Sequence, residues 1–510
     1  MRYLTRNGRR PTTTHTGLEA LESRLLMAAD VRVAGGTLGI AGTTGDDRIV
    51  IEWNPARAVP GPVQTTFDTL RVTISDSADA TVLSRTFNNA IQPFAFASLR
   101  VDAFAGQDSI INHSPLAATI YGGDGNDRIV GGTGADWIAG GNGDDTIVTV
   151  GGGQGDILWG QAGSDTFWLD AEATERIGDV SAEETALGHV HRVAAFATNR
   201  VEEPLYTTVM VPITIGGVTV SQPVTVRSGV VVRTQTPTRE LDGQQLVDPV
   251  RREADDPLGL TVVRQDRVAL FGAAGPRFTD VAQGRVGDCY FMSALASIAK
   301  TAPDRIRQLV TDLGDGTFAV HFHHADGSDA VVRVDADFHR DPADGRLAYA
   351  GRGTDRVNWV SVVEKAWAFH RDQRGTYDSI ANGSAAGIDV EVALGLPPSQ
   401  YFSNGKADAV RDGRADPSVF VDAGAMFNRL LSEWQSGRAL TLSGPSILSR
   451  DGDGIDKVTD NERRGQHVYM VKAVDWKLGT IDLYDPYGKE FTIRADTMYF
   501  VSRGFRSYQV

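Results

Sequence analysis

The chain has 510 residues, a formal net charge of −15, and 41% hydrophobic against 23% charged residues. That length predicts roughly two to four domains of ordinary globular composition. The acidic balance argues against a nucleic-acid backbone as partner and for a divalent cation, and no apolar run reaches the length of a membrane span. Cys289 is the only cysteine, which excludes an intramolecular disulfide and leaves the compartment open on that count.

Residues 1–30 start basic, at Arg2, Arg6, Arg9 and Arg10, and run on through Leu18-Glu19-Ala20-Leu21-Glu22-Ser23-Arg24-Leu25-Leu26. Without an uninterrupted apolar stretch this is not an ordinary signal peptide. The Leu-Glu-x-Leu-Glu-x-Arg-Leu-Leu pattern resembles a short amino-terminal motif of large exported bacterial proteins, which implies an extracellular or cell-surface destination. A short amphipathic helix with a flexible lead-in is the alternative.

Residues 31–170 form a β-rich domain whose clear repeats occupy 122–168. Gly122-Gly123-Asp124-Gly125-Asn126-Asp127-Arg128-Ile129-Val130 is followed by two further nonapeptides centred on Asp136 and Asp145. After Thr149-Val150 come degenerate copies around Asp156 and Asp165, and single copies precede the run at Gly45-Asp46-Asp47 and Gly106-Gln107-Asp108. Glycines permit tight turns with inward carbonyls, and the sixth-position aspartate can supply a carboxylate to an ion between neighbouring turns. The eighth-position Ile or Leu points into a narrow core, a placement that a flexible glycine-rich linker would not require. These nonapeptides resemble the RTX repeats of calcium-binding parallel β-rolls. The resemblance implies Ca2+ as a structural cofactor, with Asp124, Asp127, Asp136, Asp145, Asp156 and Asp165 as expected ligands. Asp127, Asp136 and Asp145 recur nine residues apart, so stacked turns are expected to bring their like charges alongside one another until an ion is bound.

Residues 171–264 read as a β-rich connector or a prosegment, with strand-like alternation over 207–211 and 218–220 and an acidic exposed stretch at 251–257. Beyond them lies Gln283-Gly284-Arg285-Val286-Gly287-Asp288-Cys289-Tyr290-Phe291. Gly287-Asp288 predicts a turn and N-cap, and Tyr290 to Lys300 an all-round apolar, buried helix interrupted only by Ser293 and Ser297. Cys289 in the first turn sits where unpaired N–H groups and the helix dipole favour a thiolate. The Gln283 amide, on the incoming loop, could donate towards the same point. A buried inert cysteine is the alternative.

This nonapeptide resembles the nucleophile segment of the calpain family, a branch of the papain-like cysteine peptidases. The likeness continues through Trp359-Val360-Ser361-Val362-Val363-Glu364-Lys365-Ala366-Trp367-Ala368, a predicted helix with Trp367 in the core. It reaches His467, which opens a strand running to Val474 after Arg464-Gly465-Gln466. A hairpin turning near Trp476 brings His467 and Asp485 to within a residue or two of register, inside side-chain reach. The resemblance implies Cys289 as nucleophile and His467 as general base and acid. It also implies Asp485 as the residue orienting the imidazole, and Gln283 with the Cys289 N–H as the oxyanion hole.

Calpain-like proteins usually carry Asn-Pro-Trp-Gly where this chain has Asp485-Pro486-Tyr487-Gly488. An aspartate can still fix the imidazole tautomer and stabilise the imidazolium, and a decayed site is the other reading. His321, His323 and His324 alternate near a strand end, and without Cys or Glu support at zinc-ligand spacing they predict no metal site. The loop from Asp451 to Glu462 matches an EF-hand poorly, because Ile455 occupies a ligand position. The expected architecture is multidomain: a parallel β-roll or β-helix of nonapeptide repeats, then an α+β papain-like catalytic core over 265–510 with a helical and a β half. The expected function is a calcium-binding, exported cysteine endopeptidase acting on protein or peptide substrates. The competing reading is a non-enzymatic cell-surface or adhesive β-roll protein with an inert peptidase-like domain.

Overall fold

This structure, a computed structural model, describes residues 28–55, 68–88, 96–151, 155–171, 174–215, 218–252, 255, 258–381, 388–403, 420, 422–445 and 466–510. The amino-terminal motif and the acidic loop 451–462 lie outside these residues. The chain divides into two compact units at Ala194/Ala195. Among the described residues no helix is long and apolar enough to cross a membrane.

The first unit is a β-solenoid. One face stacks the parallel strands Ser98–Ala105, Ala117–Asp124, Trp137–Asn142, Ile157–Ala162 and Arg176–Ile177. The other stacks Asp47–Asn54, Ser109–Asn112, Arg128–Val130, Thr146–Val148, Thr166–Asp170 and Val190–Val193. Antiparallel strands Asp30–Ala34, Thr69–Asp76 and Thr81–Asn88 complete the amino-terminal end. Ile129, Ile138, Ile147, Leu158 and Phe167 are buried in its core, as expected for the eighth position. The coil continues past Asp170 to Val193, where the nonapeptide pattern has gone but the strands still pair.

Each nonapeptide makes only half a rung, one turn and one short strand. Ile147 therefore pairs with Ile129, and Ile138 with Ile120, eighteen residues apart. This corrects the expected nine-residue stacking of Asp127, Asp136 and Asp145. Consecutive repeats fall on opposite faces, so alternate aspartates are the neighbours.

The second unit begins with a long two-stranded ribbon, Asn199–Ile215 and Val218–Gln235. The segment after it packs on the rest of the unit: Val250 N–H donates to Gly375 O at 2.8 Å, and Asp248 reaches the buried Lys365. The helix Cys289–Thr301 is buried from Tyr290 to Ala299. It lies between the helix Trp359–His370, whose Trp367 stacks on Phe291 at 4.8 Å, and a six-stranded antiparallel sheet. In that sheet Ala439–Pro445 and Thr480–Asp485 flank Gln466–Asp475, and the last strand, Gly504–Tyr508, returns beside Ala439–Pro445. The helical side and the sheet have separate apolar cores, with Met470, Tyr484 and Tyr508 joining the sheet to the helical one.

Candidate functional site

The helix bearing Cys289 is fastened to the strand bearing His467, and to the strand Ala439–Pro445 beside it, by the two serines that interrupt its apolar run. Residues 289, 293 and 297 are four apart and share one helix face. Ser293 Oγ donates to Val468 O at 2.7 Å and Ser297 Oγ to Leu440 O at 3.1 Å. A larger or apolar side chain at either position would hold the helix off the sheet or leave a strand carbonyl without its partner. Ser293→Ala is expected to cost about 1 kcal/mol of stability, read as a lower urea midpoint at unchanged slope.

The hairpin after His467 turns at exposed Trp476, with Asp475 opposite Thr480. An irregularity between Val471 and Ala473 shifts the register, and His467 Nε2 meets Asp485 Oδ1 at 3.0 Å. Both residues are buried. Asp485 Oδ1 also accepts the Tyr487 N–H at 2.9 Å, which fixes the carboxylate. The Tyr487 ring lies parallel over the imidazole at 5.6 Å and Tyr469 meets it edge-on at 4.7 Å, so aromatic surface shields the pair from water. Burial alone would disfavour the imidazolium. Hydrogen bonds with Asp485 and the Cys289 thiol, and their charges, outweigh it and raise His467 to about 9. The imidazole thus stands between Cys289 and Asp485, and the thiol is partly exposed.

The loop before the helix is tied to the other rim of the site. Gln283 N–H donates to Pro486 O at 2.7 Å, and Tyr484 Oη to Val281 O at 2.8 Å. Gly284 passes so close to Tyr349 that a β-carbon would lie 2.1 Å from its carbonyl oxygen. The Gln283 side chain departs from expectation in one respect: its Nε2 donates to Val286 O at 2.7 Å. The same side chain also acts on the neighbouring Asp288 carboxyl.

Asp288 occupies the N-cap position, yet its side chain makes no capping hydrogen bond. It is wholly buried and faces Glu364 of the helix Trp359–His370. Burial and the Asp288 charge push Glu364 well up, and burial raises Asp288 to about 7. Two facing carboxyls in so dry a place disfavour ionisation of both together. Glu364 also accepts the Ala350 N–H at 2.8 Å, so the pair braces the start of the nucleophile-bearing helix. Sequence reading missed it because the partners are 76 residues apart.

In the first unit the sixth-position aspartates form two ladders. Asp47 N–H donates to Asp108, Asp108 N–H to Asp127 and Asp127 N–H to Asp145, at 2.7 to 2.8 Å, and the series continues from Asp145 to Asp165 at 2.9 Å and from Asp165 to Glu184 at 3.0 Å. On the opposite side Ala118 N–H donates to Asp136, and Asp136 N–H to Asp156. One carboxylate oxygen of each is satisfied in this way. The second oxygens of Asp108, Asp127, Asp136, Asp145 and Asp156 are buried without a hydrogen-bond partner. They fill the space left by the first glycines of the repeats: a β-carbon on Gly122, Gly131 or Gly140 would lie 2.1 to 2.8 Å from such an oxygen. Burial, joined by neighbouring charge, raises Asp108, Asp136 and Asp145 to about 8, Asp127 to about 7, and Asp156 and Asp165 to about 6. Rows of buried anionic oxygens without protein donors fit a hard divalent cation. Asp124 differs, being exposed and accepting the Asn142 amide at 2.7 Å. Asp47, Asp108 and Glu184 were not singled out as ligands from sequence, although Asp47 and Asp108 sit in the isolated early copies of the repeat.

Residues 262–491 match the family described as calpain family cysteine protease. Residues 119–149 and 150–173 match the RTX calcium-binding nonapeptide repeat. The chain is 29% identical over 171 residues to calpain-type cysteine protease ADL1 of Oryza sativa subsp. japonica, covering 33% of this chain and 7% of that protein. It is 30% identical over 121 residues to calpain-9 of Rattus norvegicus, covering 22% and 16% respectively. With calpain-5 of Caenorhabditis elegans it shares 24% identity over 220 residues, 42% of this chain and 31% of that one. In each case the similar stretch spans less than a third of the relative's length.

Proposed function

We propose that this chain, which joins a calpain-family cysteine protease domain to RTX calcium-binding repeats, is an exported endopeptidase working through Cys289, His467 and Asp485. The observation that carries this reading is the buried His467, raised to about 9 between the Cys289 thiol and an Asp485 oxygen 3.0 Å away. An imidazole so placed takes the thiol proton and remains charged beside the thiolate. The thiolate attacks the peptide carbonyl carbon, and the electron pair moved onto oxygen is met by the Cys289 N–H and the Gln283 side-chain amide. His467 then gives its proton to the leaving amine nitrogen as the C–N bond breaks, leaving a thioester. Water, deprotonated by His467, attacks the thioester, and collapse releases the acid and the thiol. Asp485 keeps one imidazole nitrogen engaged throughout, so the other faces the sulfur.

Calcium has its place in the repeats, where the unpartnered oxygens of Asp127, Asp136, Asp145, Asp156 and the earlier Asp108 would hold it. There it supplies neutralising charge to the stacked carboxylates, and no step at Cys289 passes through it. RTX repeats support an extracellular or cell-surface location, where free calcium fills weak sites.

Cys289→Ala should abolish hydrolysis of a peptide library and labelling by an electrophilic cysteine-peptidase probe, with circular dichroism unchanged. With no second cysteine to take its place, residual turnover in that variant would overturn the peptidase assignment. A wild-type chain that neither turns over peptides nor labels would favour the non-enzymatic surface role.

A further inference from the structure

The strand Thr317–His323 pairs antiparallel with Asp329–Asp335, joined by a short turn. The turn is closed by the His324 N–H donating to Ser328 O, by the Gly327 N–H donating to His324 O, and by Asp326 accepting from the Ser328 N–H. His323 stands directly opposite Asp329 in the register, and His321 lies two residues back on the same strand face. His321 Nε2 is 3.0 Å and His323 Nδ1 is 3.1 Å from the same oxygen, Asp329 Oδ1. The three donor atoms lie within 4.8 Å of one another, the one such His, Cys or carboxylate trio outside the sites above among the described residues. From the sequence these histidines predict no metal site, for want of Cys or Glu support at zinc-ligand spacing. The hairpin supplies a third ligand from across the turn.

We propose that His321, His323 and Asp329 form a binding site for a divalent transition-metal ion of the zinc class. Two imidazoles and one carboxylate are a borderline donor set, unlike the all-oxygen ladders of the repeats, and suit zinc or cobalt over calcium. With bonds of about 2.0–2.2 Å, a tetrahedral ion sets its ligand atoms roughly 3.3 Å apart. The observed 3.0 and 3.1 Å are within a few tenths of that. The geometry is held from outside. A β-carbon on Gly395 would strike the Cδ2–Nε2 edge of His323 at 2.6 Å, so that edge is packed and Nδ1 is left facing Asp329. The His323 carbonyl is within 3.2 Å of His370 Nε2. Asp329 is exposed, with 67% of its side chain open, which gives an entry path and a fourth position for water.

The test uses the full chain with saturating calcium, so that the carboxylate ladders are filled, and Cys289→Ser, so that no thiolate can take the ion. Titration with Co2+ should give one site whose visible bands are those of nitrogen and oxygen ligands, displaced by Zn2+, and Zn2+ should raise Tm. His321→Ala and Asp329→Asn should each weaken binding by at least about tenfold. Asp329→Glu should weaken it less, because the carboxylate is retained. Cobalt bands absent from the Cys289→Ser chain, or equal binding in the His321→Ala/His323→Ala chain, would show a hydrogen-bonded trio only and overturn the proposal.

Discussion

Stripped of calcium, the repeat unit is expected to lose its β-structure at pH 8 and to keep it at pH 5. The carboxyls of Asp108, Asp127, Asp136 and Asp145 are raised from an ordinary 3.8 to about 7 or 8 by burial and neighbouring charge. The folded coil therefore holds protons more tightly than the unfolded chain, and its stability falls as pH rises from about 4 through that range. Each tenfold change in proton affinity corresponds to about 1.4 kcal/mol. A hundredfold change at two carboxyls is already about 5 kcal/mol, comparable with the whole stability of a small domain. Calcium replaces those protons, so the loss at pH 8 should disappear when it is restored. Hydrogen exchange followed separately over 98–193 and over 289–301 in the full chain reads the effect. Equal protection of the coil at both pH values without calcium would remove the charged ladder as its weak point. Asp136→Asn should lessen the calcium-free loss at pH 8, since it removes one buried charge while its amide oxygen can still accept the Ala118 N–H.

The second large effect concerns Asp485. Asp485→Ala should lower kcat/KM by on the order of tenfold or more, since the imidazole loses its orienting bond and its countercharge together. Asp485→Asn keeps an acceptor for the ring and should retain substantial activity. It should also move the alkaline limb of the pH–rate profile down from about 9, because the carboxylate helps to hold His467 protonated against burial. The same linkage acts on stability. A histidine raised to about 9 from an ordinary 6.5 contributes stability that is full below about 6.5 and lost as pH rises through 9. Unchanged turnover in Asp485→Ala would show that the imidazole is oriented by another group. An Asp485→Asn profile with its alkaline limb still near 9 would show that the charge does not act on His467.

Local sequence determined which residues could do chemistry and which face each element buries. The repeat names its turn glycines, its inward aliphatics and its carboxylates. The run after Cys289 can only be a buried helix, and the spacing of His467, Trp476 and Asp485 is that of a hairpin. These are properties of neighbours in the chain, set by the periods of helix and strand. Tertiary structure decided which of those residues meet. A nonapeptide does not say whether it is a whole rung or half of one. The parallel pairing of Ile129 with Ile147 makes it half, and so sets Asp127 beside Asp145 and leaves Asp136 to Asp156. Asp288 looks like a helix cap until Glu364 is packed against it from another helix. Ser293 and Ser297 look like mere interruptions until the strand carbonyls of Val468 and Leu440 accept from them. Asp329 looks like a turn residue until the hairpin turns it onto His321 and His323. Each of these is a buried or converging polar group whose partner is distant in sequence or hidden by a turn. Its cost or use is fixed only when water has been excluded and the partner supplied.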